Sequence, residues 1–251
     1  MFIANPNNPT GTLVPAPELE TFISDLSQKT IVVLDEAYHE YLPEKLKKYR
    51  LADLVVTRVK PYRVACNWKF YVDNSQEVYH LPSVHGATIE NVGPQSTWRF
   101  ERDGGAYMML YADFPGSLSL LKGDRGFPAI EGMSLDRPER HDLPWVFPNT
   151  HFLGTVDTFW WLTMYPEGPE ETRVAVYSSF HKHLLGRNDF QELAANYYKR
   201  LDVTNLEDNL ICEIQQKGAR LRAAEPGRLS FHEANVHKFA NYVLDRVLPR
   251  T

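Results

Sequence analysis

The sequence predicts an α+β protein, on three observations. Aromatic-rich segments that alternate apolar and polar residues cluster between residues 97 and 180, helical periodicity dominates from 189 onward, and no regular strand–helix–strand repeat connects the two. Within 251 residues, 43% hydrophobic and 24% charged, the chain has enough apolar material for a large core, which excludes a disordered or fibrous protein. Its formal net charge of −5, with no cluster of Lys and Arg, argues against a nucleic-acid partner. The strongly apolar runs are short, as at residues 31–34, far below the roughly 20 residues of a membrane helix, and Met1 to Pro6 carry no signal-peptide pattern. The expectation is a cytoplasmic protein with no membrane contact.

The first forty or so residues read as a loop, a helix and a strand. Asn5-Pro6-Asn7-Asn8-Pro9-Thr10-Gly11 is dense in turn formers. Pro17 opens a helix whose apolar positions Leu19, Phe22, Ile23 and Leu26 follow the 3.6-residue period, and the β-branched run at 31–34 reads as a buried strand of the parallel kind. From about Leu46 the pattern changes. Residues 59–64 read as a short strand, and 67–79 have helical spacing. Segments 97–100, 107–111, 152–164 and 173–180 read as antiparallel strands; 189–201, 206–217 and 232–247 read as helices. The division falls at 1–45 and 46–251.

Only two cysteines occur, Cys66 and Cys212, neither close to another cysteine or to a histidine. Zinc ribbons, CxxC redox pairs and disulfide frameworks are therefore excluded, and any metal chemistry must draw on the nine histidines and the carboxylates.

One such grouping is Asp73, Glu77, His80 and His85. Positions five apart on a straight helix are rotated by about 140°, so His80 and His85 could not share an ion there. Pro82 disfavours helix at Leu81, so the helix is expected to end near His80 and the chain to turn back, bringing His85 beside it. Glu77 and His80 stay on one helical face. Two imidazoles and one carboxylate on one face of an octahedral ion form the arrangement of non-haem Fe(II) oxygenases. Asp208, read as lying at the start of a helix, is the chosen third ligand, with Glu207 and Asp202 as competitors on spacing. For Asp208 the alternative is a partner for the helix N-terminal dipole. His181, His183, His232 and His237 are read as structural. The aromatics Phe152, Phe159, Trp160, Trp161 and Tyr165 are read as sheet core, with alternate members lining a cavity as the minority reading.

Two resemblances follow from these motifs. Residues 1–45, through Asn5 to Gly11 and Asp35-Glu36-Ala37-Tyr38, resemble fold-type I pyridoxal-phosphate aminotransferases of the histidinol-phosphate group. There Asn8, Asp35 and Tyr38 match residues that touch the pyridoxal ring. The family's Schiff-base lysine does not follow, so no cofactor role is assigned to this segment. Residues 46–251, through Asn67-Trp68-Lys69, Asp73-Asn74, Glu77, Tyr79-His80 and His85, then Glu207-Asp208, Ile211-Cys212-Glu213 and the tail from Pro226 to His237, resemble the C-terminal catalytic domain of Rieske-type non-haem iron oxygenase α subunits.

That second resemblance implies a helix-grip (START-like) fold, an antiparallel sheet with covering helices, behind a short N-terminal αβ fragment. It also implies Fe(II) held by His80, His85 and Asp208, a small-molecule substrate and dioxygen, and hydroxylation, dihydroxylation or oxidative demethylation. At Glu77 the family carries an acidic residue that links a histidine ligand to the Rieske cluster of a neighbouring subunit; glutamate there hints at the branch acting on quaternary ammonium compounds. The carboxylate would also orient His80. The C-x-H and C-x-x-H ligands of a [2Fe-2S] cluster do not occur in these residues. The chain therefore reads as a fusion or truncation that takes electrons from a separate Rieske or ferredoxin reductase donor, in a homotrimer if the family's assembly holds; a catalytically silent remnant is the rival.

Overall fold

A computed structural model describes residues 2–4, 33–35, 42–101, 107–223 and 227–247. The chain divides into two compact units, Met1–Asp53 and Leu54–Thr251. In the first, β1 (Phe2–Ala4) pairs in parallel with β2 (Val33–Asp35), and a short helix α1 (Leu42–Leu46) follows. The helix expected after Pro17, the turn-forming run 5–11 with Asn8, and Tyr38 lie outside the described residues; Asp35 closes β2.

The second unit is α+β, as the sequence predicts. Its seven-stranded sheet comprises β3 (Leu54–Val64), β4 (Trp98–Glu101), β5 (Tyr107–Phe114), β6 (Glu139–Val146), β7 (Thr150–Gly154), β8 (Phe159–Gly168) and β9 (Glu171–His181). Its order is β3-β9-β8-β7-β6-β5-β4, and every pairing is antiparallel. Helices α2 (Trp68–Asn74), α3 (Leu81–Val84), α4 (Phe190–Ala219) and α5 (Ala234–Val247) complete it.

Four expectations are corrected here. The segment expected at 59–64 is eleven residues long and includes Pro61, which an edge strand tolerates because one side of its backbone needs no ladder partner. Residues 152–164 form two strands, β7 and β8, closed by a turn in which the Thr155 amide donates to the Thr158 carbonyl at 3.0 Å. Strand β6 went unread because Pro144 and a charged start mask it; its pairing with β7 skips Leu143 and Pro144, the cost of a proline inside a sheet. Finally, 189–201 and 206–217 are one helix of 30 residues.

The continuity of α4 has a local cause. Thr204 and Asn205, poor helix formers in isolation, are buried and turn their side chains back on the helix: Thr204 Oγ1 donates to the Arg200 carbonyl at 3.0 Å and Asn205 Nδ2 to the Leu201 carbonyl at 2.7 Å. The buried positions from the middle of α4 onward are largely polar, Arg200, Thr204, Asn205, Asn209 and Gln216, while Leu206, Leu210 and Ile214 are exposed. This inversion of the usual amphipathic helix places a polar stripe over the sheet.

Among the described residues, two apolar clusters carry the packing. The larger draws on β5 to β9, α2, Leu201 and Cys212 of α4, and Phe239 of α5; Trp68 meets Phe239 edge-on at 5.5 Å between ring centroids. The smaller gathers Phe127, Phe180, Phe190 and Tyr197 around the first turns of α4. The connection between β5 and β6 folds over that end. Gly116, at φ +90°, turns the chain and its amide donates to the Leu135 carbonyl at 2.8 Å, closing the base of the loop. Ser117 of this loop donates at 2.7 Å to buried Asp157 in the turn between β7 and β8, which also accepts from Tyr197 at 2.6 Å. The expected sheet-core aromatics Phe152, Phe159, Trp160 and Trp161 are buried; Tyr165 is partly exposed.

Candidate metal centre

Asn67 starts the segment that builds the site. Its side chain accepts from the Lys69 amide at 3.1 Å as N-cap of α2, its own amide donates to Gln216 of α4 at 2.8 Å, and its Nδ2 donates to the Pro169 carbonyl at 2.6 Å. Helix α2 is thereby pinned against α4. It stops at Asn74, not near His80 as expected, and Ser75 Oγ donates to the Tyr71 carbonyl at 2.9 Å. Glu77 consequently lies outside any helix, and its relation to His80 is not that of a shared helical face.

Pro82 also acts differently from expectation. It does not end a helix but sits in the first turn of one, α3, where its missing N–H costs nothing. His80 is the N-cap of this one-turn helix and His85 its C-cap, so both rings flank a single turn with centroids 5.1 Å apart. At Gly86 a Cβ would lie 2.8 Å from the Pro82 carbonyl oxygen, so the chain leaves His85 along a path that glycine permits.

Asp208 comes from the middle of α4, well inside the helix, which removes the N-terminal dipole reading. His85 Nε2 lies 2.9 Å and His80 Nε2 3.6 Å from Asp208 Oδ1. One donor atom from each of the three residues falls within 4.8 Å of the others. Cis ligands bonded at roughly 2.1 Å sit about 3 Å apart, so the donor set fits a single small cation.

The remaining ring nitrogens are held from behind. Glu77 Oε1 is 2.6 Å from His80 Nδ1 and Glu207 Oε2 is 2.7 Å from His85 Nδ1. Thr88 Oγ1 donates to Glu207 Oε2 at 2.9 Å, and Asn74 Nδ2 donates to Asp208 Oδ1 at 2.8 Å. Each imidazole therefore turns Nε2 toward the shared point, the orientation that outer carboxylates impose on ligating histidines. Burial works against charge on His85, yet its hydrogen bonds to Asp208 and Glu207 raise its pKa above the ordinary value. Burial likewise works against charge on Asp208, which the hydrogen bond from His85 and the nearby imidazoles hold below the usual carboxylate range.

Of the competitors for the third position, Glu207 is the support of His85, and Asp202 is occupied by Arg58 at 2.7 Å and Lys60 at 2.8 Å on β3. Sequence reasoning missed the supporting role of Glu207 and two further cavity groups, Arg200 and His151. The cavity beside the site is lined by Val78, Ile89, Leu110, Leu143, Leu162, Trp98 and Trp160 among others, with His151 and Arg200 as polar members. Burial drives the pKa of His151 down to about 3, so the ring is neutral. A signal for Arg200 was present in the sequence: it stands eight residues, two helical turns and a fraction, before Asp208.

The architecture defines the class. A quaternary ammonium Rieske monooxygenase studied for carnitine oxidation by gut microbiota is similar over 84% of this chain and 55% of its own, with a TM-score of 0.67 and 17% identity. Dicamba monooxygenase bound to dicamba is similar over 76% and 57%, with a TM-score of 0.52 and 14% identity. The second unit thus has the fold of a Rieske oxygenase catalytic domain, a type of domain that uses mononuclear iron. Residues 51–248 match the ring hydroxylating alpha subunit (catalytic domain) family, and the chain belongs to that family. Residues 1–66 match aminotransferase class I and II. Histidinol-phosphate aminotransferase 2 of Nitrosospira multiformis is 49% identical over 73 residues, 26% of this chain and 19% of the relative; histidinol-phosphate aminotransferase 1 of Cupriavidus pinatubonensis is 64% identical over 44, 18% and 12%. The chain spans a little over half of the oxygenase structures and at most a fifth of these aminotransferases. Among the described residues no helix is long and apolar enough to cross a membrane.

Proposed function

We propose that residues 46–251 form a mononuclear non-haem Fe(II) oxygenase domain with His80, His85 and Asp208 as the iron ligands, and that residues 1–45 are a separate aminotransferase-derived segment with no part in its chemistry. The observation that carries this reading is the convergence of two Nε2 atoms on one Asp208 oxygen, with each Nδ1 held by a carboxylate. Fe(II) in such a site supplies reductive activation of dioxygen.

The chain's own residues do the rest. Glu77 fixes the tautomer and direction of His80 and is the route by which electrons from a Rieske [2Fe-2S] donor, supplied in trans by another protein or subunit, reach the ligand set. Glu207, braced by Thr88, does the same for His85 without an electron-transfer role. The apolar lining would exclude water and hold a small substrate beside the three metal-binding side chains. Hydroxylation or oxidative demethylation is the reaction class, and a glutamate at position 77 together with the Trp98 and Trp160 faces supports a quaternary ammonium substrate. The assembly that fits a donor in trans is a homotrimer, and the compartment is the cytoplasm.

Iron content of protein purified under nitrogen tests the ligand assignment. Wild type is expected to take up one Fe(II) per chain and to give a nitrosyl spectrum on exposure to nitric oxide, and His80→Ala and Asp208→Ala to lose both. Equal metal content in all three proteins would overturn it.

A further inference from the structure

Arg200 is 2% exposed and lines the cavity beside the metal centre. Its Nη1 donates to Thr204 Oγ1 at 3.2 Å, and its guanidinium carbon lies 5.6 Å from the centroid of the Trp160 ring. Nε and Nη2 have no hydrogen-bond partner among the described residues. Nε carries one N–H and Nη2 two, so three N–H groups of this buried guanidinium are left without an acceptor. Burial lowers the pKa of Arg200 to about 10, with Asp208 and Glu207 pulling the other way, and the group stays charged at neutral pH. An arginine buried this deeply is stable when an anion meets it. The nearest acids on its own helix, Glu207 and Asp208, are committed to His85, Thr88 and Asn74.

We infer that Arg200 is the carboxylate-binding residue of the substrate pocket, and that the substrate carries a carboxylate at the end remote from the reacting carbon. This rests on the oxygenase reading above and narrows it: a bare cation would be repelled by the guanidinium, whereas an anionic or zwitterionic acid would be gripped by its planar fork. Arg200 and Asp208 are eight residues apart on α4, about 12 Å between backbone positions along the axis, and the Arg200 side chain reaches about one turn of that toward Asp208 through its bond to Thr204, so a short carbon chain separates the carboxylate from the carbon presented to the metal-binding residues. Val78, Leu110, Leu143 and Leu162 in the lining suit such an apolar middle.

Binding of three matched probes by calorimetry to the metal-free protein tests the inference. The probes are γ-butyrobetaine; 5,5-dimethylhexanoate, its neutral-headed isostere; and butyltrimethylammonium, the cation without the acid. Wild type is expected to bind both acids at least tenfold more tightly than the bare cation, Arg200→Gln to lose that preference, and Arg200→Lys to keep part of it. No preference for the acids in wild type, or a preference undiminished in Arg200→Gln, would overturn the inference. Should Arg200→Gln fail to fold, Arg200→Lys decides: the charge kept without the fork must still weaken acid binding severalfold. A Co(II) titration of the same proteins separates this inference from the one it rests on. Loss of metal binding in Arg200→Gln equal to its loss of acid binding would make the guanidinium a counter-charge for Asp208 and Glu207, and overturn it. A wild type that binds acids selectively but no metal would instead remove the oxygenase reading and leave the carboxylate pocket standing.

Discussion

Replacing Glu207 by alanine separates a support from a ligand. Glu207 Oε2 lies 2.7 Å from His85 Nδ1 and accepts from Thr88 Oγ1 at 2.9 Å, while Asp208 Oδ1 lies 2.9 Å from His85 Nε2. The carboxylate thus faces the side of the ring turned away from the metal point. Removing it frees the imidazole to rotate and to exchange tautomers, but leaves all three donor atoms in place. Loss of an outer carboxylate of this kind typically weakens metal binding 10- to 100-fold, or about 1.4–2.8 kcal/mol. Glu207→Gln keeps an oxygen acceptor for the ring N–H and should weaken binding less than tenfold. Anaerobic titration with Co(II) against a chromophoric chelator reads both, with Asp208→Ala as the reference for a lost ligand. If Glu207→Ala matched Asp208→Ala, Glu207 would be a ligand and the assignment of the two carboxylates would be reversed. An unchanged affinity would refute the idea that His85 needs holding.

Two further outcomes follow from packing and from burial. Phe239→Ala empties the contact of α5 with Trp68 and Phe147, whose ring centroids lie 5.5 and 5.9 Å away; a loss of about 3–5 kcal/mol is expected, and one below about 1 kcal/mol in chemical denaturation would refute the tight packing of α5. Asp73 has its pKa pushed up to about 7, first by burial and also by the charge of Glu233, against the pull of Lys69. Because the folded value lies above the unfolded 3.8, the folded state holds a proton that the unfolded state has released between about pH 4 and 7, so stability falls as pH rises through that window and stays lower above it. The gap is worth at most about 4 kcal/mol. Asp73→Asn should leave stability unchanged near pH 4 and raise it near pH 8, and a variant whose urea midpoint keeps the wild-type pH slope would show that Asp73 is not the cause.

The grouping of His80, His85 and Asp208 was legible because its three members are chemically distinctive and two are near in sequence, yet the reason given for their meeting was wrong in detail. Reading Pro82 as a terminator treated proline only as a breaker. In a helix of four residues the same ring is a starter, and the histidines on either side are its caps rather than the end of one helix and a residue on the chain turning back from it. The strand around Pro144 was lost to the same one-sided rule. Glu207 was weighed as a ligand because adjacent carboxylates look alike in a sequence. On a helix they are rotated by about 100°, so only one can face the shared point while its neighbour reaches the far side of a ring.

The misreading of α4 as two helices has a deeper source, and it bears on how the site is sustained. Periodicity finds helices by their apolar stripe, and α4 interrupts that stripe where it crosses the cavity, burying Arg200, Thr204, Asn205, Asn209 and Gln216 in its place. Such a stretch contributes little apolar burial, so the helix depends on what lies at either end. At its start Phe190, Leu193 and Tyr197 lock into the smaller aromatic cluster, and at its end Gln216 accepts from the Asn67 amide while Cys212 joins the larger core. A helix clamped at both ends holds its middle at fixed distance from the sheet, and that fixed distance keeps Asp208 on His80 and His85 while Nε and Nη2 of Arg200, in the lining of the same cavity, stay without a partner among the described residues. Apolar replacement along the stripe would make α4 a better helix by pattern and would remove the groups that give the cavity its chemistry.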